Sequence, residues 1–138
     1  MRRAARVDAT QEAIVSALRA AGAYVWVIGL PVDLLVGYKG HTFCVEVKSG
    51  SDPVDRPTVD KLIGAGQKFG AETCLFVSWG GFKSNVQKEL ARDFFRVRLW
   101  SRKDLLEKLF AHYDRLPEEI RLALPLKRVW MVANQEES

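Results

Sequence analysis

The stretch that decides the fold is VDLLVGYKGHTFCVEVK, residues 32–48. It contains two apolar runs, residues 32–37 and 42–48, and each has the length and composition of a β-strand. The four residues between them, Tyr38-Lys39-Gly40-His41, are typical of a tight hairpin turn. The stretch therefore predicts two neighbouring strands.

Three charged residues of this hairpin are candidate catalytic residues. Glu46 and Lys48 are two positions apart, so a strand places them on one face, and the hairpin brings Asp33 beside them. Mg²⁺ prefers oxygen ligands, which Asp33, Glu46 and the backbone carbonyl of Val47 supply. Lys48 is then available to hold the attacking water or to stabilise charge on phosphorus. The pattern predicts Mg²⁺-dependent hydrolysis of a phosphodiester, with Mn²⁺ as a substitute.

A purely structural interpretation of the same residues stays open at this point. An aspartate at the start of a strand is often a turn residue. A Glu-x-Lys pair on a strand is often a solvent-facing ion pair that contributes less than ~1 kcal/mol. Helices are predicted on both faces of these strands, however, and charged residues in such places need a reason. The functional interpretation is favoured for that reason.

The rest of the chain alternates between helical and strand-like patterns. Apolar residues at helical spacing, with a possible Asp8–Gln11 capping box and Gly22 as the end signal, predict a first helix over residues 9–21. The further predicted elements are a strand at 23–28, a helix from Pro57 to Gly70, a strand at 73–78, a helix at 84–93, a strand at 95–100, a helix from Ser101, a short helix from Pro117 and an apolar tail at 129–132. This order, α-β-β-β-α-β-α-β-α, predicts an α/β fold in which one domain, residues 1–138, holds a mixed sheet flanked by helices.

Composition is that of an ordinary globular protein. Of the 138 residues, 48% are hydrophobic, and no apolar run reaches the length of a membrane-spanning helix. We therefore expect a cytoplasmic protein. The two cysteines, Cys44 and Cys74, lie in apolar strand-like runs and are expected to be buried free thiols. The net charge of +4 suits a polyanionic partner such as DNA.

The candidate catalytic residues also resemble a known motif. Pro31-Val32-Asp33, twelve residues, and then Glu46-Val47-Lys48 is similar to the PD-(D/E)xK motif of restriction endonucleases, Holliday-junction resolvases and repair nucleases. The resemblance implies a restriction-endonuclease-like αβββαβ core. It also implies that Asp33 and Glu46 bind the metal ion and that Lys48 assists the water.

The two halves of the chain resemble different branches of that superfamily. Residues 6–48 are similar to phage-type nucleases of the VRR-NUC group, and residues 47–132 to the catalytic domain of Mrr-type restriction endonucleases. The join at residues 46–48 indicates a recombined or engineered chain, a chimera. The stretches that support the resemblance are residues 8–11 and 29–37 in the first half, and residues 75–82, 94–100 and 124–130 in the second.

Two glutamines are further candidates by resemblance. Relatives often have a site-facing glutamate on the first helix, and the matching position here is Gln11, whereas Glu12 is expected to be solvated. Because Gln11 is uncharged, we expect a single strong metal site. Mrr-like relatives have a glutamine on the second helix, which Gln67 matches. Its alternative interpretation is an ordinary polar residue at the helix edge.

The sequence also gives expectations for the substrate and for the oligomeric state. Full-length Mrr-type enzymes carry a separate DNA-recognition domain, for which this chain has no room, so cleavage with little sequence preference is expected. Contacts should then fall on phosphates, from Lys39, Arg56, Lys61 and Lys83. Relatives often dimerise, so a homodimer is possible, and Trp130 either serves that contact or is buried in its own fold. The competing hypothesis is a nucleic-acid-binding or scaffold protein that keeps the fold without useful catalysis.

Overall fold

A five-stranded mixed sheet forms the centre of the molecule. The computed structural model describes residues 9–29, 32–93 and 96–134. The strands lie side by side in chain order, the first three antiparallel and the last three parallel. They are β1 (Tyr24–Val27), β2 (Leu34–Tyr38), β3 (His41–Lys48), β4 (Thr73–Ser78) and β5 (Val97–Ser101). The α/β class and the mixed sheet predicted from the sequence are confirmed.

Within the described residues, five helices connect and cover these strands. They are α1 (Ala9–Ala20), α2 (Arg56–Phe69), α3 (Ser84–Leu90), α4 (Arg102–His112) and α5 (Glu118–Ala123), with short 3₁₀ turns at Ala91–Asp93 and Tyr113–Arg115. The third helix is therefore shorter than predicted, because its last turn tightens into 3₁₀ geometry. The Asp8 half of the predicted first capping box lies outside the described residues.

Local signals fix where these helices begin and end. Gly22 has a φ of 93°, and the N–H groups of Gly22 and Ala23 donate to the carbonyls of Arg19 and Leu18, which closes α1 in a Schellman motif. Asp55 caps α2 through a 3.1 Å hydrogen bond from the Thr58 N–H. Ser101 and Asp104 form a capping box at the start of α4. These ends explain why α2 and α4 start directly after their preceding loop or strand.

The turn between β2 and β3 sets the register of this hairpin. Tyr38 is paired with His41, and the two residues between them, Lys39 and Gly40, both have positive φ, 48° and 80°. This is the two-residue turn geometry that matches the twist of antiparallel strands. The register that follows places Leu34 opposite Val45, one position before Glu46.

The sheet has a different core on each face. Alternate residues of β3 divide between them: Cys44 packs toward α2 and α3, whereas Val45 packs toward α1. Both cysteines are buried and free, as predicted. The core under α2 and α3 contains Val32, Cys44, Val54, Val59, Leu62, Ala65, Cys74, Phe76, Val86, Leu90 and Val97, and the core under α1 contains Val15, Ala23, Val25, Leu34, Val36 and Val45.

The loop that leaves β3 is clamped by the turn that leaves β4. Val54 N–H donates to the Gly81 carbonyl, and Lys83 N–H donates to the Val54 carbonyl. A Cβ atom added to Gly80 would lie 2.5 Å from the carbonyl oxygen of Asp52, so only glycine allows the two backbones to approach this closely. Ser78 is fully buried and its hydroxyl donates to the Gly81 carbonyl at 2.8 Å.

The C-terminal segment is pinned at its start and exposed beyond it. The Tyr113 hydroxyl donates to the Leu124 carbonyl at 2.7 Å and accepts from the Leu126 N–H at 2.9 Å. Val129–Val132 packs against none of the described residues closely enough to be covered, and Trp130 is fully exposed. The buried-tail interpretation of Trp130 is therefore wrong for the chain as described. No helix within the described ranges is long and apolar enough to cross a membrane.

Replacing Gly80 with alanine should destabilise the protein. The added methyl group meets the Asp52 carbonyl on a second backbone segment, so both segments must shift, at a cost of roughly 1–3 kcal/mol. Urea denaturation measures the loss. Gly64→Ala is the matched control, because nothing lies within 4 Å of a methyl group at this α2 position and alanine favours helix by about 1 kcal/mol. Equal midpoints for the two variants would contradict the clamp.

Candidate active site

Asp33 is held by both its main chain and its side chain. Its carbonyl accepts hydrogen bonds from the N–H groups of Ile28, at 2.9 Å, and Gly29, at 3.4 Å. Its carboxylate Oδ2 accepts the backbone N–H of Val47 at 2.8 Å. The aspartate therefore does more than turn the chain into β2, since its side chain bridges to the strand that carries Glu46 and Lys48.

Glu46 and Lys48 share one face of β3, as their spacing predicts. Cys44, Glu46 and Lys48 alternate with Val45 and Val47, and Cys44 faces the core under α2. Glu46 lies opposite Phe76 of β4 and is half-buried, whereas Lys48 lies at the end of the strand and is exposed. The pair thus sits where the apolar core gives way to solvent.

The electrostatics of Glu46 indicate that the two carboxylates lie close together. Burial raises the pKa of Glu46, and the negative charge of Asp33 raises it further. The ammonium of Lys48 and a hydrogen bond from the Asp33 backbone oppose these effects, and the pKa is about 7. A carboxyl with a pKa this far above its ordinary value is common in functional sites, where charges are held together against their repulsion.

The main chain of Val47 faces the same side of β3 as Asp33. In a strand the N–H and C=O of one residue face the same neighbour, and the Val47 N–H faces Asp33. The carbonyl of Val47 is therefore directed to the side of β3 on which Asp33 lies. Two carboxylates and one carbonyl are oxygen donors of the kind that Mg²⁺ takes. No group of three or more His, Cys, Asp or Glu residues that could hold a metal occurs in the described parts of the chain.

Gln11 lies on the other side of the sheet from Glu46. Its helix, α1, packs on the core that contains Val45, and Gln11 lines a surface cleft together with Val27 and Ile120. Val27 is paired with Leu34, so this cleft is at the same end of the sheet as Asp33. Glu12 is exposed, as expected.

The structure does not bring Gln67 to the carboxylates. It is exposed and lies in the last turn of α2, where its carbonyl accepts the Gly70 N–H. Helix α2 begins after the end of β3 and finishes before the start of β4, and Gln67 is about 16 Å along its axis from Arg56. The sequence predicts that Gln67 lies on a helix, but it does not show which end of that helix is nearest the site.

The four candidate phosphate-binding residues are divided between the two ends of the sheet. Lys39 lies in the hairpin turn, about 20 Å along β2 from Asp33, so it is at the far end. Arg56, at the start of α2, pairs with Asp60 and Glu89. Lys61 is exposed on the same helix, and Lys83 directly precedes α3. Arg56, Lys61 and Lys83 therefore belong to elements that begin at the end of the sheet where Asp33 and Glu46 lie, and Lys39 does not.

Two features of this end were not found from the sequence. Trp79 follows β4 directly, is 43% exposed and lies under the guanidinium group of Arg102. Gly80, which packs against the Asp52 carbonyl, is the second of these features.

Comparison with known proteins adds the family. A family model for restriction endonucleases, Mrr_cat, matches residues 8–109. The chain belongs to this restriction endonuclease family. The match crosses residues 46–48, so one family model extends over both of the halves that resemble different branches of the superfamily. That the chain is recombined or engineered stays a prediction. No protein among the curated sequences matches the chain.

One similar solved structure supports the fold of the described domain. The DNA modification-dependent restriction endonuclease AspBHI is 20% identical, with a TM-score of 0.62 over 90% of this chain and 36% of that chain. The Holliday junction resolvase Hjc of Archaeoglobus fulgidus is 20% identical, with a TM-score of 0.39 over 49% of this chain and 64% of that one. The chain thus spans about a third of the length of AspBHI.

Replacing Glu46 with glutamine should stabilise the metal-free protein at alkaline pH. Because the folded state holds the Glu46 proton more tightly than the unfolded chain, the free energy of unfolding falls as pH rises from 4.5 to about 7. The shift corresponds to about 3 kcal/mol, which solvent screening of a half-buried group reduces to roughly 1–2 kcal/mol.

Denaturant unfolding at acid and alkaline pH measures this effect. Glu46→Gln should exceed the wild type in stability above pH 7 and lose that advantage below pH 4.5. The exposed Glu12→Gln is the control and should follow the wild type at every pH. A Glu46→Gln advantage that does not change with pH would show that the pKa of Glu46 is not raised by its burial and by Asp33.

Proposed function

We propose that this chain is a metal-dependent endonuclease that hydrolyses DNA phosphodiester bonds with little sequence preference. Residues 1–138 act as one nuclease domain in this proposal. The observation that supports it most is the convergence of Asp33 and Glu46 at the end of β3, next to Lys48. Membership of a restriction endonuclease family supports the same reaction class.

A divalent cation fits the residues that are present. Asp33 and Glu46 are two carboxylates whose ionised forms disfavour each other, and a cation between them relieves that repulsion. The Val47 carbonyl offers a third oxygen. Mg²⁺ suits this donor set because it takes few protein ligands and keeps several waters, and Mn²⁺ accepts the same ligands. When bound, such a cation acidifies water and offsets the charge that develops on the phosphoryl group.

The remaining steps belong to the side chains. Asp33 is fixed by the Val47 N–H, so its carboxylate has a defined direction. Lys48 is exposed at the end of β3, where its ammonium can hold the attacking water or contact a phosphate oxygen. A positive group placed before the reaction begins stabilises developing negative charge without reorganisation.

Contacts to the DNA are expected from residues at the site end of the sheet. Lys61 and Lys83 present exposed ammonium groups, and Arg56 adds a guanidinium that two carboxylates already hold in place. Contacts of this kind fall on phosphates and position the duplex without reading its bases. Affinity for DNA should therefore fall steeply as salt is raised.

Removal of Asp33 should abolish the proposed metal site. Calorimetric titration of the wild type with Mg²⁺ should show one site, and Asp33→Ala should show none, because a single carboxylate binds Mg²⁺ weakly. Gln11→Ala is the control and should bind like the wild type, since Gln11 is uncharged and its helix packs on the other face of the sheet. Equal Mg²⁺ binding by wild type and Asp33→Ala would place the ion elsewhere.

Lys48→Ala should lose cleavage while keeping binding. Nicking of supercoiled plasmid in Mg²⁺ should fall by roughly 100- to 1000-fold, the usual effect of removing one group that stabilises the transition state. Retention of plasmid on a gel and Mg²⁺ binding should be unchanged. Lys39→Ala, at the far end of the hairpin, is the matched control and should cut like the wild type.

The outcomes separate the two candidate classes. If Lys48→Ala cuts like the wild type, or if EDTA leaves cleavage intact, the proposed mechanism is wrong. If the wild type binds DNA in a salt-dependent way and never cuts, the chain is a nucleic-acid-binding protein that keeps the nuclease fold. A homodimer also stays a prediction, and the exposed segment Val129–Val132 is the surface at which to test it.

A further inference from the structure

Trp79 is held at the end of the sheet where the catalytic strand finishes. Ser78, the last residue of β4, is the register partner of Lys48, and the Trp79 N–H donates to the Lys48 carbonyl at 2.9 Å. The indole therefore begins one strand away from the residue proposed to assist cleavage. It belongs to none of the roles described above.

The ring is fixed in place and still accessible. The guanidinium carbon of Arg102 lies over it, 5.5 Å from the ring centroid, and 43% of Trp79 is exposed. The backbone next to Trp79 is clamped, because Gly80 packs against the loop at Asp52 and the Gly81 N–H donates to the Ser78 carbonyl. A large ring on a rigid turn loses little entropy when a flat ligand stacks on it.

The surroundings of the ring suit a polyanion. Arg102 and Lys103 are the first two residues of α4, and both are exposed. Lys48 is exposed at the end of the neighbouring strand. The carboxylate of Asp104 is engaged in the capping box at the start of α4, where it accepts from Ser101. An aromatic ring among cations is the combination by which proteins bind single-stranded nucleic acid.

We propose that Trp79 and Arg102 form a stacking platform for one unpaired nucleobase, so that the preferred substrate is DNA with a single-stranded segment beside the cleavage site. The proposal deepens the nuclease function proposed above and rests on it. A base inside a duplex is already stacked on both faces, whereas an unpaired base offers a free face to the indole. Stacking on one aromatic side chain contributes about 1–3 kcal/mol per base.

Binding without cleavage tests the platform. The probes are a blunt DNA duplex and the same duplex with an unpaired arm that carries 2-aminopurine next to the junction, both titrated in EDTA. The wild type should bind the armed duplex roughly 5- to 100-fold more tightly than the blunt one, and stacking should quench the 2-aminopurine fluorescence. Trp79→Ala should lose both the preference and the quenching, and Trp79→Phe should keep part of each.

Trp26→Ala is the matched control. Trp26 is another exposed tryptophan, but it lies on β1, three strands from β4, and its ring pairs with Tyr24. This variant should keep the preference for the armed duplex. Thermal melting confirms that each variant is folded. Should Trp79→Ala not fold, Arg102→Ala replaces it and should weaken the preference for the armed duplex.

The proposal is overturned if Trp79→Ala keeps the preference, or if the wild type binds both probes equally and does not quench 2-aminopurine. Equal binding without quenching would mean that the indole does not stack on an unpaired base. Plasmid cleavage in Mg²⁺ is measured in parallel. Absence of cleavage with intact quenching would reject the nuclease function and leave the platform standing, whereas plasmid cleavage without any quenching of 2-aminopurine would do the reverse.

Discussion

The hydrogen bond from the Val47 N–H to the Asp33 carboxylate is the interaction on which the site depends. Asp33 comes just before β2 begins, so no residue of β2 pairs with Val47. The Asp33 side chain takes the place of that missing strand partner beside β3. One bond therefore satisfies a backbone donor that the sheet leaves unpaired and directs a carboxylate toward Glu46. The hairpin register, the clamped loop after β3 and the cores on both faces all keep the two partners of this bond in position.

The hairpin and its charged residues could be predicted because the information is local. A period of two fixes the face of Glu46 and Lys48, and a two-residue turn with Gly40 fixes the pairing of the strands. Helix ends were equally local, since Gly22, Asp55 and Gly70 act on neighbouring backbone groups. Helices and strands whose signals lie within a few residues could therefore be predicted from the sequence.

Features that depend on distance in space were beyond these signals. Gln67 has suitable chemistry, but whether it reaches the site depends on how α2 packs on the sheet. The closeness of Gly80 to Asp52 depends on two loops that follow different strands. Trp79 was not identified from the sequence, because its position beside Lys48 and Arg102 comes from the parallel pairing of β3 and β4 and from the start of α4.

The direction of the helices gives the molecule a permanent polarity. Helices α2 and α4 follow the ends of β3 and β5, so the N-terminal ends of both helices lie at the end of the sheet where Lys48 lies. The peptide dipoles add partial positive charge within the first turn of each helix. The carboxylates of Asp55 and Asp104 accept hydrogen bonds at these two starts, so the groups that begin the helices also limit the positive charge at this end of the sheet.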